Sequence, residues 1–176
     1  MEYPDTEMDH LNKALEAEAK NELAEAAYFY EKVISGTSSP PISVFINLMF
    51  LYFLAQDHGI EVEQNLTIDY MSKAYRRITP LYNQAKALYP ENIEVDFWEN
   101  YIFYRFPYGP SYDEVSENYF NQKKTMVPYF FAYDAESNAY VKEAKELWKE
   151  VKDGKTFKER YIRNWIGFGI TGKNPN

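Results

Sequence analysis

Apolar positions along the chain recur at the spacing of a helix rather than of a strand. In residues 17–34, AEAKNELAEAAYFYEKVI, the apolar side chains lie three or four positions apart and share one helical face: Leu23, Ala26, Ala27, Tyr30, Val33 and Ile34. Asn21 precedes this face and tolerates left-handed backbone angles better than most residues. The pattern predicts the end of a first helix that begins near Thr6, a tight turn, and a second helix that runs back along the first. Gly36 follows the last apolar position and is predicted to end the second helix.

A second run, residues 42–55, is apolar on all sides, which is typical of a buried helix. Asn47 is the polar residue inside it, and either bonds to a neighbouring helix or faces a groove. Gly59 is predicted to end this helix, and residues 60–65 to form a polar loop. Residues 66–89 are again helical in pattern, with Pro80 either as a kink or as the first residue of a new helix capped by Thr79.

The second half of the chain carries several helix start signals. Asn92 is predicted to cap a helix that continues to residue 106, and a further helix is expected over residues 111–127. The most regular amphipathic pattern covers residues 135–152. Thr156 and Glu159 have the spacing of a capping box for a final helix, and the glycines after residue 166 are expected to mark a frayed tail.

The first hairpin resembles a unit of the tetratricopeptide repeat (TPR) family. The resemblance is carried by residues 21–26, NELAEA, followed by residues 30–34, YEKVI. Ala26, Tyr30 and Val33 occupy the three places where the second helix of the family carries a small residue, an aromatic residue and another small residue. Asn21 stands where the family prefers Gly.

A second fragment resembles the junction between two such units. Residues 87–92, ALYPEN, are similar to the end of one unit, and Phe97, Tyr101 and Tyr104 are similar to the start of the next. The spacing between the fragments is not an even 34-residue array. The units in the middle and at the end of the chain are therefore expected to be divergent.

The resemblance implies an all-α fold, a right-handed solenoid of about four antiparallel helix hairpins that forms a single TPR-like domain over residues 1–176. It also implies a groove, lined by the first helix of each hairpin, that binds a peptide or a partner protein. By resemblance, the candidate partner-binding residues are Asn47, Asn100, Tyr101 and Tyr104. The Lys/Asn carboxylate clamp of the family is not recognisable, so a chaperone C-terminus is not implied.

Charge is distributed unevenly along the chain. The net charge is −8, but residues 1–70 hold 3 basic and 13 acidic residues, whereas residues 71–176 hold 16 basic and 14 acidic ones. An acidic first third disfavours nucleic acid and anionic membranes as partners. It either solvates exposed helix faces or attracts a basic partner. The second hypothesis for function is accordingly an acidic inhibitor, such as an immunity protein that masks a basic toxin.

Sequence signals for catalysis or cofactor binding are weak. The chain has no Cys, and its two histidines, His10 and His58, are far apart. The GxGxxG match at residues 167–172 follows a predicted helix instead of a strand, so it does not indicate a dinucleotide site. We therefore expect a non-enzymatic protein without a metal or cofactor.

One enzymatic alternative remains open, a site assembled from four scattered residues: Arg76, Glu99, Arg105 and Tyr108. The N-terminus lacks the apolar region of a secretory signal, and residues 42–55 are too short to span a bilayer comfortably. A cytoplasmic protein without a membrane span is the resulting expectation.

Overall fold

The computed structural model describes residues 5–105, 125–130 and 140–171, and every regular element within these ranges is a helix. The predicted all-α class is therefore confirmed for the described part of the chain. The chain divides into two compact units, Met1–Glu91 and Asn92–Asn176, which are described separately below. The single domain over residues 1–176 stays a prediction.

Unit 1 contains five helices: α1 Asp5–Ala19, α2 Leu23–Gly36, α3 Ile42–Leu54, α4 His58–Glu63 and α5 Ile68–Leu88. Helix α1 packs on α2, α2 packs on α3, and α3 packs on α5. The predicted tight turn between α1 and α2 is confirmed, because Asn21 has φ of 64° and the Glu22 amide donates to the Ala17 carbonyl at 2.9 Å. Small buried residues let α1 and α2 approach closely: Ala14, Ala17, Ala26 and Ala27.

Helix α3 lies in the core of unit 1, as its apolar sequence predicts. All of its residues from Val44 to Tyr52 are buried, so the side of the helix that would normally face solvent is buried as well. Pro41 precedes the helix in an extended conformation, at its N-cap and not in its first turn. Burial on every side explains why the segment lacks a polar stripe.

Helix α4 was not predicted. Helix α3 ends at Leu54, and Gly59, expected to end it, instead lies in the first turn of α4. The Asp57 carboxylate caps α4 by accepting from the amides of Gly59 at 2.9 Å and Ile60 at 3.2 Å. The prediction of a polar loop over residues 60–65 is therefore wrong. Helix α4 buries none of its residues, so the sequence carries no apolar periodicity there.

Helix α5 is a single helix of 21 residues with Pro80 inside it. A new helix beginning at Thr79 is therefore excluded. The Thr67 hydroxyl caps α5 by accepting from the Tyr70 amide at 3.1 Å. Ala74, Ile78, Leu81 and Ala85 are its buried residues and lie at helical spacing.

Unit 2 contains α6 Ile93–Arg105, α7 Val141–Val151 and α8 Phe157–Thr171. The predicted Asn92 cap is confirmed, since its side-chain oxygen accepts from the Val95 amide at 3.1 Å. An aromatic cluster forms the core, with ring centroids 5.3–6.3 Å apart: Phe97, Trp98, Tyr101, Phe130 and Tyr161. Most of these rings are fully buried, so their main role is to fill the core.

Helices α7 and α8 differ from their predicted bounds. Tyr140 has φ of 59° and stands at the N-cap, so α7 begins at Val141 and not near residue 135. The predicted capping box of α8 is confirmed, with the Thr156 amide 2.9 Å from Glu159 Oε2 and the Glu159 amide 3.2 Å from Thr156 Oγ1. Helix α8 continues through Gly167 and Gly169, which were expected to fray, whereas Gly172 lies outside the described residues. The helix predicted over residues 111–127 lies largely outside the described residues.

Candidate functional site

Asn47, the first of the four predicted partner-binding residues, belongs to a buried polar network. Its side chain is 7% exposed, and its Nδ2 donates to the Tyr30 hydroxyl at 3.1 Å. The Tyr30 hydroxyl donates to Glu18 Oε1 at 2.5 Å, and Glu18 is 1% exposed. The three side chains join α1, α2 and α3. Of the two roles that the sequence left open for Asn47, the structure shows the bond to neighbouring helices.

The other three candidates lie on α6 in unit 2. Asn100 is half-buried and donates from Nδ2 to the Asp96 carbonyl at 2.8 Å. Tyr101 is fully buried, and its hydroxyl lies 2.5 Å from the Tyr161 hydroxyl. The side chain of Tyr104 lies outside what the structure describes. Burial leaves Asn47 and Tyr101 little surface for a partner, and the role of Asn100 and Tyr104 stays a prediction.

A pocket of about 350 Å³ lies between α2, α3 and α5 in unit 1. We call it the tyrosine pocket, because three tyrosine rings stand among its lining residues: Ala24, Ala27, Tyr28, Glu31, Tyr52, Tyr70, Lys73, Ala74 and Arg77. Helices α2 and α5 supply eight of these nine side chains, and α3 supplies Tyr52. None of the four predicted site residues lies in it.

An ion pair between Glu31 and Arg77 lies along one wall of the tyrosine pocket. Arg77 Nε lies 2.8 Å from Glu31 Oε1, and Arg77 Nη2 lies 3.0 Å from Glu31 Oε2, so the pair is bidentate. The Tyr52 hydroxyl donates to Glu31 Oε1 at 3.0 Å. The hydrogen bond to Glu31 raises the pKa of Arg77 above its ordinary value. Two helices and a tyrosine thus hold Glu31 in a fixed orientation.

Two tyrosines of the pocket strongly favour the neutral, protonated form of their hydroxyl groups. Burial, followed by the negative charge of Glu31, raises the pKa of both Tyr52 and Tyr70 well above the ordinary value. The Tyr70 hydroxyl is shielded from water and has no hydrogen-bond partner in the described part of the chain. An unpaired buried hydroxyl destabilises a fold by about 1–3 kcal/mol, so its presence at a pocket requires an explanation.

A second pocket of about 240 Å³ lies further along the same helices, lined by Ile34, Thr37, Ser38, Pro40, Phe45, Gln84, Ala87 and Leu88. The two pockets adjoin, because Arg77 of the tyrosine pocket donates to Gln84 of the second pocket at 3.4 Å. We define the residues of both pockets as the α2–α5 groove. Tyr28 and Leu88, one in each pocket, are large side chains that remain 56% and 43% exposed.

The sequence carried a weak signal for this groove. Tyr70, Lys73, Ala74 and Arg77 lie at i, i+3, i+4 and i+7 and therefore share one face of α5. That face mixes aromatic, small and charged residues, so its pattern is typical neither of a buried helix face nor of a solvent-exposed one. Its neighbours on α2 are more than forty positions away in the chain, and no local pattern specifies that pairing.

Chemistry beyond binding finds little support in the described residues. In those ranges, no group of three His, Asp or Glu side chains is placed to hold a metal ion, and no helix is long and apolar enough to cross a membrane. Of the residues considered for an enzymatic site, Arg76 is exposed on α5 in unit 1, and Glu99 is half-buried on α6 in unit 2. Tyr108 and the Arg105 side chain lie outside what the structure describes.

Comparison of the chain with protein-family models found no match, and comparisons with curated proteins and with solved structures likewise found none. The TPR resemblance therefore rests on the two sequence fragments.

Proposed function

We propose that the chain is a non-enzymatic, cytoplasmic protein-binding module that holds a peptide or a helix of a partner protein in the α2–α5 groove. The observation that carries the proposal is the pair of adjoining pockets along one groove, each with a large exposed side chain at its edge. A groove between two helices, with alternating pockets and polar groups, is the surface on which amphipathic partner helices dock.

The order of residues along the groove supports a TPR-like arrangement of divergent helix hairpins. From the tyrosine pocket to the second pocket, residue numbers rise along α2 and along α5 but fall along α3, from Tyr52 to Phe45. Helices α2 and α5 thus run in one direction and α3 in the other, as in successive antiparallel hairpins. The left-handed Asn21 turn between α1 and α2 is also consistent with this arrangement.

The proposed groove differs from the one that the resemblance implies. In the family pattern the first helix of each hairpin lines the groove, whereas α2 and α5 would be second helices here. Helix α3, the corresponding first helix, is buried over most of its length and offers little surface. The proposal therefore places the partner on the opposite set of helices.

The chemistry of the groove suits a partner with apolar anchors. Tyrosine rings supply large contact areas at a small cost in side-chain entropy. The Glu31–Arg77 pair is already bidentate in the free protein, so partner binding leaves neither charge unpaired. Buried aromatic anchors in preformed pockets are the features that dominate interface energetics.

Substitutions that fill the pockets test this proposal. Ala24 and Ala87 are exposed residues at the tyrosine pocket and the second pocket, so Ala24→Gln and Ala87→Gln occupy space at little cost to folding. A partner purified with the wild-type chain is expected to bind each variant at least about tenfold more weakly, as measured by calorimetry. Ala19→Gln, at an exposed alanine on α1, is the matched control and should bind normally. Unchanged affinity in both pocket variants would exclude the groove.

A second candidate function, an acidic inhibitor of a basic partner, is favoured by the end of unit 1 that carries the α1–α2 turn. Asn21 Nδ2 donates to Glu63 at 2.7 Å, and the Leu23 amide donates to Gln64 at 3.0 Å, so α4 lies against this turn. The contact places the acidic residues of α4 beside those at the start of α2, among them Glu22 and Glu25. The resulting negative surface would attract a basic protein.

Salt dependence distinguishes the two functions. Docking through apolar anchors in the groove should change little between 50 and 300 mM NaCl, whereas an electrostatic mask should weaken by an order of magnitude or more. The double variant Glu22→Gln, Glu25→Gln should weaken partner binding only if the acidic surface holds the partner. A partner that is lost at high salt and is insensitive to Ala24→Gln would favour the inhibitor.

A further inference from the structure

Three groups at the tyrosine pocket are able to donate further hydrogen bonds. The Tyr70 hydroxyl has no partner within the described ranges. Arg77 bonds through Nε and Nη2, which leaves its Nη1 without a hydrogen bond in that part of the chain. Lys73 is paired only with Asp69, in an ion pair whose two side chains are each 74% exposed. All three donors stand on one face of α5.

The Glu31 carboxylate, the ionisable acceptor among the lining residues, is by contrast engaged. Both oxygens of Glu31 accept from Arg77, and one also accepts from Tyr52. The lining residues carry a formal charge of +1, from Lys73, Arg77 and Glu31, in a chain whose net charge is −8. The pocket is thus a donor-rich site with a positive formal charge on its lining residues, and these donors complement an anion.

The rest of the pocket is suited to the apolar part of a small ligand. Ala24, Ala27 and Ala74 keep the walls free of bulk, and the rings of Tyr28 and Tyr52 provide flat surfaces. A volume of about 350 Å³ lies at the lower end of the range in which proteins bind small organic molecules. The site therefore combines an apolar chamber with donors on one side.

We propose that the tyrosine pocket binds a small organic carboxylate, with its carboxylate accepting from Tyr70, Lys73 and Arg77 and its aromatic or aliphatic body packed against the alanines and tyrosine rings. The Tyr70 hydroxyl is shielded, so ligand binding requires that Tyr28 or another lining side chain moves to uncover it. An exposed i,i+4 ion pair contributes little to stability, so Lys73 readily exchanges Asp69 for the ligand. The inference goes beyond the proposed function, because it requires no partner protein.

Three probes of identical body and different charge test the proposal on the full chain. Phenylacetate, phenylacetamide and 2-phenylethylammonium are titrated separately, and binding is measured by calorimetry and by the shift in thermal midpoint. Phenylacetate should bind and raise the midpoint, and the neutral amide should bind at least about fivefold more weakly because it lacks the charge that strengthens hydrogen bonds from Lys73 and Arg77. The cation should not bind. Equal binding of the three probes, or failure of phenylacetate to bind, would overturn the proposal.

Variants locate the site without relying on loss of folding. Tyr70→Phe removes an unpaired buried hydroxyl, so the free protein should be at least as stable as the wild type while phenylacetate affinity falls about fivefold. Lys73→Gln should also weaken phenylacetate binding, whereas Lys20→Gln, at an exposed lysine in the turn after α1, should not. Wild-type affinity in both pocket variants would contradict the assignment.

A carboxylate can be a free acid or the end of a peptide chain, and a further pair of probes separates these sources. A hexapeptide that ends in phenylalanine is compared with its C-terminal amide. Tighter binding of the free-ended peptide than of phenylacetate would identify a chain end as the ligand, and equal or weaker binding would identify a free acid. Ala87→Gln fills only the second pocket and should leave phenylacetate binding intact, so failure of the acid proposal and failure of the groove proposal give different results.

Discussion

At the scale of single residues, unit 1 is held together by a buried polar network as well as by apolar contacts. Glu18, Tyr30 and Asn47 come from three successive helices and bond to one another. Hydrogen bonds in the protein interior are electrostatically stronger than in water, and a satisfied network fixes the relative orientation of the helices that carry it. The network therefore sets how α1, α2 and α3 meet.

Tyr30→Phe tests the network directly. The substitution keeps the ring but removes the hydroxyl that donates to Glu18 and accepts from Asn47. We expect the free energy of unfolding to fall by about 1–3 kcal/mol, measured by urea denaturation followed by circular dichroism. Tyr28→Phe, on the same helix but 56% exposed, should change it by less than about 0.5 kcal/mol. Equal effects of the two substitutions would refute a stabilising role for the hydroxyl.

Glu99 gives a pH-dependent prediction in unit 2. Burial, and then repulsion from Asp96, raises the pKa of Glu99 above its ordinary value. Both folded and unfolded chains bind the proton below the ordinary pKa of about 4, but at neutral pH the folded chain carries an unfavourable charge. Glu99→Gln should therefore raise the thermal midpoint at pH 7 and not at pH 3.5. Glu146→Gln, at an exposed position on α7, should show no such difference, and an equal gain at both pH values would contradict the argument.

Part of the network of Glu18, Tyr30 and Asn47 was predictable from the sequence. Asn47 stands out as a polar residue inside an apolar run, so its importance was visible. Its partners Glu18 and Tyr30 were not, because they lie 29 and 17 positions away and are brought close only by helix packing. The residues of the tyrosine pocket were missed for the same reason.

At the scale of helices, start signals were read more reliably than lengths. The caps at Asn92 and Thr156 were predicted, because side-chain caps act over three residues and are visible in local sequence. Helix α4 was missed, since a short exposed helix has no apolar face, and the continuation of α8 through its glycines was missed because propensity alone argued against it. Tertiary packing decides such cases.

Gly154→Ala tests the capping box of α8. A Cβ at Gly154 would lie 2.5 Å from Glu159 Cβ and 2.7 Å from Glu159 Oε2, so Glu159 would have to leave its bond to Thr156. We expect a loss of about 0.5–2 kcal/mol in the free energy of unfolding, as for other lost caps. Asp153→Ala, at the exposed neighbouring residue, is the control for changes in loop composition. A Gly154→Ala protein as stable as the control would show that the capping box contributes little.

At the scale of the whole molecule, the all-α class was predictable from apolar periodicity, whereas the division into two compact units was not. Periodicity reports which face of each helix is buried, but not which helices pack together. The TPR resemblance supplied a hypothesis for that packing, and the TPR-like solenoid stays a prediction.

Hydrogen–deuterium exchange of the chain with and without its purified partner tests the central claim most directly. If the α2–α5 groove holds the partner, amides of α2 from Ala24 to Ile34 and of α5 from Tyr70 to Leu88 should exchange more slowly in the complex. Exchange in α4 and at the α1–α2 turn should not change. Protection confined to that turn and α4 would contradict the account and favour an acidic surface that masks a basic partner.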